Sequence, residues 1–308
     1  MNSKGSATIL SLLISAIILT VSIGFNWFVK EHIKAAEALK YKTEAMINAN
    51  SAFETLIYCI LGGTFSSKEV MLYNGKKLLG IDTIPLNGTA VTVKEKNIKI
   101  TLKDSNGLIS LTSLYDTESI GRLIKIFYPD KKDIPVFIAS LRDWVDRDDL
   151  LHINGAESFY YRSQDKSYSS RNYPLQYIEE LAFIKGMEDV SIEKILPFIT
   201  LLPNSGFNPN TAPDEVLLAH LDITKETLEA VKAYRANKEI TSNSEVFMLT
   251  GKNLPFQAYE LNNFSPSRFW DVNIRYEKDN KSIYFIESGL NTSLGLRTPF
   301  SIFYWKEG

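Results

Sequence analysis

The sequence predicts an α+β protein: a long N-terminal helix packed on a small antiparallel sheet, with a large all-α domain inserted between strands. Three observations carry this. Residues 5–29 are free of charge and run straight into an amphipathic helical pattern. Strand-type alternation occurs in two separate places, from about residue 71 to 103 and again after 269. Between them the apolar period is helical, from about Leu111 to about Asn263. At 308 residues the chain has room for more than one core, and 44% apolar with 23% charged residues is the balance of a folded protein.

Residues 6–29 form the apolar part of the first helix. A bilayer core needs ~20 apolar residues, so the segment is long enough to span one. Asn26, Trp27 and Phe28 read as an interfacial girdle, followed by Lys30 and Lys34. A cleaved signal peptide fits poorly, because the apolar run is too long and no A-x-A site precedes the next helix. The flanking charges of Lys4 and Lys30 oppose each other. The short N-terminal side favours a cytoplasmic N-terminus, with the bulk of the chain outside. From residue 30 to 62 the same helix is amphipathic: Leu39, Met46, Phe53 and Ile60 recur every seven residues beside Ala49 and Ile57, and Gly62-Gly63 ends the pattern. That stripe is expected to pack on a sheet and between subunits.

Asn74-Gly75 predicts a hairpin joining Met71–Tyr73 to Lys76–Leu79. Further strands are expected at 83–86, 90–94 and 98–103, where Ile98, Ile100 and Leu102 alternate, and then at 269–276, 282–288 and 301–305. The sheet domain is therefore assigned to 63–110 and 267–308, and the inserted helical domain to 111–266.

Composition narrows the function. A net charge of −2 argues against bulk attraction to nucleic acid. The lone Cys59 forms no internal disulfide and reads as a small packed residue. His32, His152 and His220 share no metal-ligand spacing in sequence, and no GxSxG, Walker loop or Cys–His arrangement appears. The adjacent acids Glu179 and Glu180 point apart on a helix. The chain therefore reads as no enzyme.

The most informative stretch runs from Leu141 through Asp143, Trp144, Asp146, Asp148 and Asp149 to Gly155-Ala156-Glu157 and Tyr160-Tyr161. Alternating acids followed by a glutamate can supply hard oxygen ligands to calcium. An EF-hand is excluded, since Leu150 and Leu151 stand where its fifth ligand and glycine belong. Chemistry alone leaves two readings open: an irregular cation loop, or a helix end with solvated acids. Trp144, Tyr160 and Tyr161 read as core supports. Thr211 is expected to cap the helix that follows it, with Pro213 in the first turn.

Lys4-Gly5 before an apolar helix resembles a type IV prepilin peptidase site, which implies cleavage after Gly5 and N-methylation of Ser6. The residue fifth from that cleavage is Leu10, where major pilins carry glutamate. The run from Leu141 to Tyr161 resembles the LxDWxDxD…GAExxYY signature of the K-type minor pseudopilins of type II secretion (general secretion pathway protein K). Asn172-Tyr173-Pro174-Leu175 with Glu179-Glu180-Leu181 and Gly186, then Asn208-Pro209-Asn210-Thr211-Ala212-Pro213 with Glu215-Val216-Leu217, follow in that family's order. The resemblance implies a pilin-like fold carrying an inserted helical domain that binds structural calcium. It implies Asp146, Asp148 and Glu157 as ligands, with Asp143 and Asp149 as further candidates. It also implies an inner-membrane anchor with the bulk in the periplasm, and a place at the tip of the pseudopilus. The implied partners there are the I- and J-type minor pseudopilins, the major pseudopilin and the prepilin peptidase.

Two other readings compete. A minor pilin of a type IV pilus or competence filament shares the leader and helix but would not be expected to carry the acidic-loop and NTAP motifs together. Asn208–Ala212, Ala233-Tyr234-Arg235 and Leu249-Thr250-Gly251 also resemble helix-hairpin-helix DNA-binding modules. Leu221-Asp222-Ile223 would then be the phosphate-facing hairpin, but it lacks glycine and carries a negative charge, against nucleic acid.

Overall fold

The computed structural model describes residues 3–93, 97–112, 117–254, 263–278, 281–292, 295 and 298–308. The side chains of residues 3–6, Gly5 and Ser6 among them, lie outside the description, as do the first two residues of the expected leader. The first helix, α1, runs Ser3–Leu61 without a break, a rod of roughly 90 Å at ~1.5 Å per residue. Its described residues are exposed as far as Glu44. From Ala45 one face is buried through Ala49, Ala52, Leu56 and Cys59, all at 0–1% exposure. Small side chains let the helix lie close to the sheet. The expected seven-residue stripe is only half realised: Phe53 and Ile60 are buried, whereas Leu39 is 68% and Met46 42% exposed. The sheet grips only the last turns, so the earlier part of the stripe has no sheet beneath it.

Beneath α1 lies a five-stranded antiparallel sheet in the order β10-β9-β8-β5-β4. Its strands are β4 (Val91–Val93), β5 (Ile98–Asp104), β8 (Phe269–Lys278), β9 (Lys281–Asn291) and β10 (Ser301–Glu307). The last residue of the expected 90–94 strand, Lys94, lies outside the described residues. Alternation in β5 sends Ile98, Ile100 and Leu102 to the α1 face, all fully buried. Register continues that row across the sheet, with Ile100 opposite Ile274 and Ile274 opposite Ile286. Trp270, Val272 and Leu290 complete the core.

A second sheet of β1 (Thr64–Phe65), β2 (Glu69–Met71) and β3 (Thr83–Pro85) leads into the first. Here the expected hairpin at Asn74-Gly75 is not formed. Asn74 does adopt a left-handed backbone, but it opens a short helix, α2 (Gly75–Leu78). The helical turn brings Leu79 into the core beside Leu72, and β2 pairs instead with β3, Met71 opposite Thr83.

Between neighbouring strands β5 and β8 the chain leaves to build a separate core. It contains α3 (Thr117–Phe127), α4 (Ile134–Val145), α5 (Ser158–Ser163), α6 (Asp214–Leu221), α7 (Lys225–Asn237) and α8 (Asn243–Thr250). Phe137, Leu123, Trp144 and Tyr161 lie at its centre. Much of the span predicted as helical is instead short 3₁₀ turns, at 178–183, 192–194 and 196–198. Pro174, Pro197 and Pro203 punctuate this stretch and limit helix length. A two-residue parallel pair was not foreseen: β6 (Ile109–Ser110) runs beside β7 (Ile199–Thr200).

The seam between the two cores is polar. Asp104, the last residue of β5, is 1% exposed. Its Oδ1 accepts the backbone N–H groups of Asn106 at 3.2 Å and Ser267 at 2.9 Å. Its Oδ2 accepts Asn208 Nδ2 at 3.2 Å and the Thr211 hydroxyl at 3.3 Å. Thr211 is therefore not a helix cap: α6 begins three residues later, capped by Pro213, and the hydroxyl serves the seam. Asn208 also donates to the Ser67 carbonyl at 2.8 Å, and Asn210 brackets both backbone groups of Ile240 at 2.8 Å. Removing the shared acceptor takes a partner from four donors at once and strands the N–H groups of Asn106 and Ser267, whereas removing one donor strands little. Asp104→Ala should lower unfolding stability by about 3 kcal/mol or more, and Thr211→Val by about 1. Denaturant titration followed by tryptophan fluorescence checks this, and equal losses in the two variants would contradict it.

A carboxylate cluster at the end of a helix

Helix α4 ends where its acids begin. Asp143 lies in its last turn, Asp146 is the C-cap and Asp148 follows. The negative end of a helix disfavours carboxylates, so this placement is costly unless something positive joins it. The chain then turns back through Asn154, at φ 70°, and Gly155, whose N–H donates to the His152 carbonyl at 2.9 Å. Glu157 follows as the N-cap residue of α5. Oxygens of Asp146, Asp148 and Glu157 come within 4.8 Å of one another.

The surroundings hold the loop without neutralising it. Asn172 donates its side-chain amide to the Asp148 carbonyl at 3.2 Å and to Asp149 Oδ1 at 3.1 Å, while its N–H reaches the Trp144 carbonyl at 2.9 Å. Asp149 thus faces Asn172 and is not gathered with the other three. Ser170 donates to Glu157 Oε2 at 3.1 Å. Lys185 caps the Gly155 carbonyl at 3.1 Å while lying over the Tyr160 ring. Arg171 is engaged by Glu180 at 3.1 Å, and Glu180 also accepts Trp144 Nε1 at 3.4 Å. Trp144 and Tyr161 meet edge to face inside the core.

Several oxygens are left over. Asp143 Oδ2, Asp146 Oδ1 and Glu157 Oε1 are buried without a hydrogen-bond partner. Burial pushes the Asp146 carboxyl above its ordinary range, and the charges of Asp148 and Asp143 push it further. Burial raises Glu157 likewise, against the hydrogen bond from Ser170. Gly155 is required here, because a Cβ on it would lie 1.9 Å from Asp143 Oδ2. Mutually repelling carboxylates, Glu157 buried and Asp146 half-buried with spare lone pairs, have the chemistry of a donor set for a hard divalent cation.

His152 was missed as a partner of these acids. Its Nδ1 lies 2.5 Å from Asp143 Oδ1 and 3.8 Å from Asp146 Oδ2, and its N–H donates to Asp143 at 3.1 Å. The signal available was its place inside the acid-to-glycine loop, rather than any spacing to another histidine. At the proposed DNA hairpin, Asp222 joins α6 to α7 in a left-handed conformation and is paired with Lys252 at 2.8 Å.

Comparison with known proteins bears on this segment directly. Residues 103–204 match the family "Type II secretion system (T2SS), protein K". Type II secretion system protein K of Klebsiella pneumoniae is 29% identical over 175 residues, covering 52% of this chain and 54% of that protein. The protein K of Pectobacterium carotovorum subsp. carotovorum is 29% identical over 99 residues, 31% of this chain and 30% of that protein. The chain thus spans about half the length of the former relative and less of the latter. A chain from the crystal structure of the GspK-GspI-GspJ complex of enterotoxigenic Escherichia coli shares the fold, at TM-score 0.50 and 15% identity, over 91% of this chain and 99% of that one. The matched segment includes the whole carboxylate cluster, whereas Asn208–Pro213 lies just beyond it.

Raised carboxyl values in the folded state give stability that is present at pH below the ordinary carboxylate range and lost as pH rises through the raised values. In chelator, Asp146→Asn should therefore melt at a higher temperature than the parent near pH 7, with the gap closing toward pH 4. Thermal scans across that range check it, and a lower melting point for the variant at every pH would contradict it.

Proposed function

We propose that the chain is a non-enzymatic minor pseudopilin of the K type, seated at the tip of the periplasmic pseudopilus of a type II secretion system. The observation that carries this is the protein K domain placed between strands β5 and β8 of a sheet that packs on one very long helix. The exposed apolar part of α1, from Ala7, suits a single-pass inner-membrane anchor, its N-terminus cytoplasmic and the bulk periplasmic. Below it, the exposed stretch from Lys30 to Glu44 is left for neighbouring helices of the pseudopilus, including the major pseudopilin. Processing by a prepilin peptidase after Gly5 would leave Ser6 as the methylated N-terminus. Leu10 then stands where a glutamate would otherwise meet the ammonium of the subunit above. A subunit without that carboxylate suits a position with nothing above it.

The I- and J-type minor pseudopilins are the partners in this reading, and the subunit supports pseudopilus assembly and export of folded proteins across the outer membrane. A structural calcium ion belongs at Asp146, Asp148 and Glu157, with Asp143 beside them. It would supply the positive charge that the end of α4 lacks, and fix the loop between α4 and α5. Two measurements test the proposal. The full chain, solubilised in detergent with calcium, should co-purify with its I- and J-type partners; failure to associate would remove the tip assignment. Calorimetry should show calcium uptake that Glu157→Gln weakens at least about tenfold, which is about 1.4 kcal/mol. An unchanged isotherm would remove Glu157 from the site.

A further inference from the structure

We propose that the outer edge of β10 is a docking site for an extended segment of another polypeptide, which joins the sheet as a further strand. The five-stranded sheet ends in two unlike edges. At one end β4 has three residues and offers little to pair with. At the other, β10 has seven, and Ile302, Phe303, Tyr304 and Trp305 are 37–50% exposed. Natural sheets blunt such an edge with short strands, charges or cover. Among the described residues no strand pairs with the outer side of β10. The register shift between Ile302 and Tyr304 leaves the run from Tyr304 to Gly308 regular.

The backbone says what kind of group belongs there. Gly308 exchanges both of its hydrogen bonds with Phe285, at 3.2 and 3.0 Å. Bonded pairs alternate along an antiparallel ladder, so Lys306 and Tyr304 also turn their peptide groups toward β9. The N–H and C=O groups of Trp305 and Glu307 therefore point away from the sheet. A donor and an acceptor repeating at every second residue are met in full by another strand, which is how sheet edges take peptides. The edge is also held ready. Tyr304 reaches across Gly289, where a Cβ would lie 2.5 Å from its ring, and its hydroxyl donates to Asp271 on one face of the sheet. On the other face Trp305 meets Phe53 of α1 edge to face at 4.9 Å. The strand is pinned from both faces while its edge stays bare, so docking has little of β10 left to order. Trp305 and Phe303 favour β-branched or aromatic residues in the incoming strand. With α1 as a membrane anchor, a second copy does not fit. Antiparallel pairing of two β10 strands sets a two-fold axis normal to the sheet. That axis reverses every direction in the plane of the sheet, including that of the α1 lying on it. The two apolar segments would leave in opposite directions and not enter one membrane.

The docking edge stands on β10 itself and does not require the pseudopilin assignment. The test uses the full chain in detergent and a phage-displayed library of random seven-residue peptides, the length of β10. Selected peptides should alternate β-branched or aromatic residues with others. Hydrogen exchange should show them slowing the amides of Trp305 and Glu307, which exchange fast in the free chain. Glu307→Pro removes an outward N–H and keeps the ladder to β9, so it should weaken the peptides at least about tenfold while circular dichroism shows the fold retained. Should that variant fail to fold, the exchange pattern of the parent with peptide decides alone. A library that yields no binder, peptides that protect another surface, or binding indifferent to Glu307→Pro in the folded variant would overturn the proposal. Protection of the two amides that grows with protein concentration in the absence of peptide would put a second copy on the edge, and that result overturns it as well.

Discussion

The carboxylate of Asp104 is the point on which the two halves of this molecule turn. It terminates β5, and it is sealed from water at the seam between the two apolar cores. Burial pushes its carboxyl upward, against the four donors that converge on it. The donors come from three parts of the chain: the turn after β5, the segment entering β8, and two residues of the stretch before α6. A buried polar group tolerates neither a missing partner nor a displaced one. The seam therefore has one satisfactory geometry, and the head is held in one attitude to the sheet. Ser105, donating to the Pro203 carbonyl at 2.6 Å, and Asn106, donating to the Ser265 carbonyl at 2.9 Å, repeat the same arrangement on either side.

This gives the motif Asn208–Pro213 a physical meaning that spacing alone did not supply. Read as sequence, Thr211 beside Pro213 looks like the start of a helix. In the folded chain its hydroxyl turns the other way, toward Asp104, and Gly107 is pressed so near that a Cβ there would lie 2.6 Å from the hydroxyl oxygen. Asn208 and Asn210 hold neighbouring backbone in the manner of extra peptide groups. Local propensity was outbid by a tertiary demand, the need to satisfy one buried charge.

What the sequence made legible follows the same division. Period-2 alternation in 98–103 was readable because half of each side-chain row meets α1 and half meets solvent or the head. The convergence of Asp146, Asp148 and Glu157 was readable because the three acids lie in one short loop. Asp149 looks equivalent to its neighbour in sequence, while in the fold it faces Asn172 and stands apart from the other three. His152 escaped because its partner is reached by the loop folding back over Asp143. The hairpin at Asn74 was misjudged because a left-handed asparagine starts a turn of either kind, and the burial of Leu79 decided which. The β6–β7 pair was out of reach, since two residues from each of two distant segments make no periodic signal.

The gradient of burial along α1 joins these observations to a mechanical one. One uninterrupted helix is exposed along its described residues as far as Glu44, touched there by Lys278 over the Tyr41 ring, and then locked against β9, β8 and β5. Any displacement of the exposed part is delivered to the sheet through Ala45–Ile60, where the helix lies on small side chains that leave little slack. From the sheet there is a direct covalent route onward: β5 and β8, the strands under the helix, are the two that carry the head between them. Their adjoining ends meet at Asp104 and Trp270, paired in register and both buried. The helical head is thus fastened where the sheet is itself fastened to the rod. A head carried in this way moves with the helix as one body.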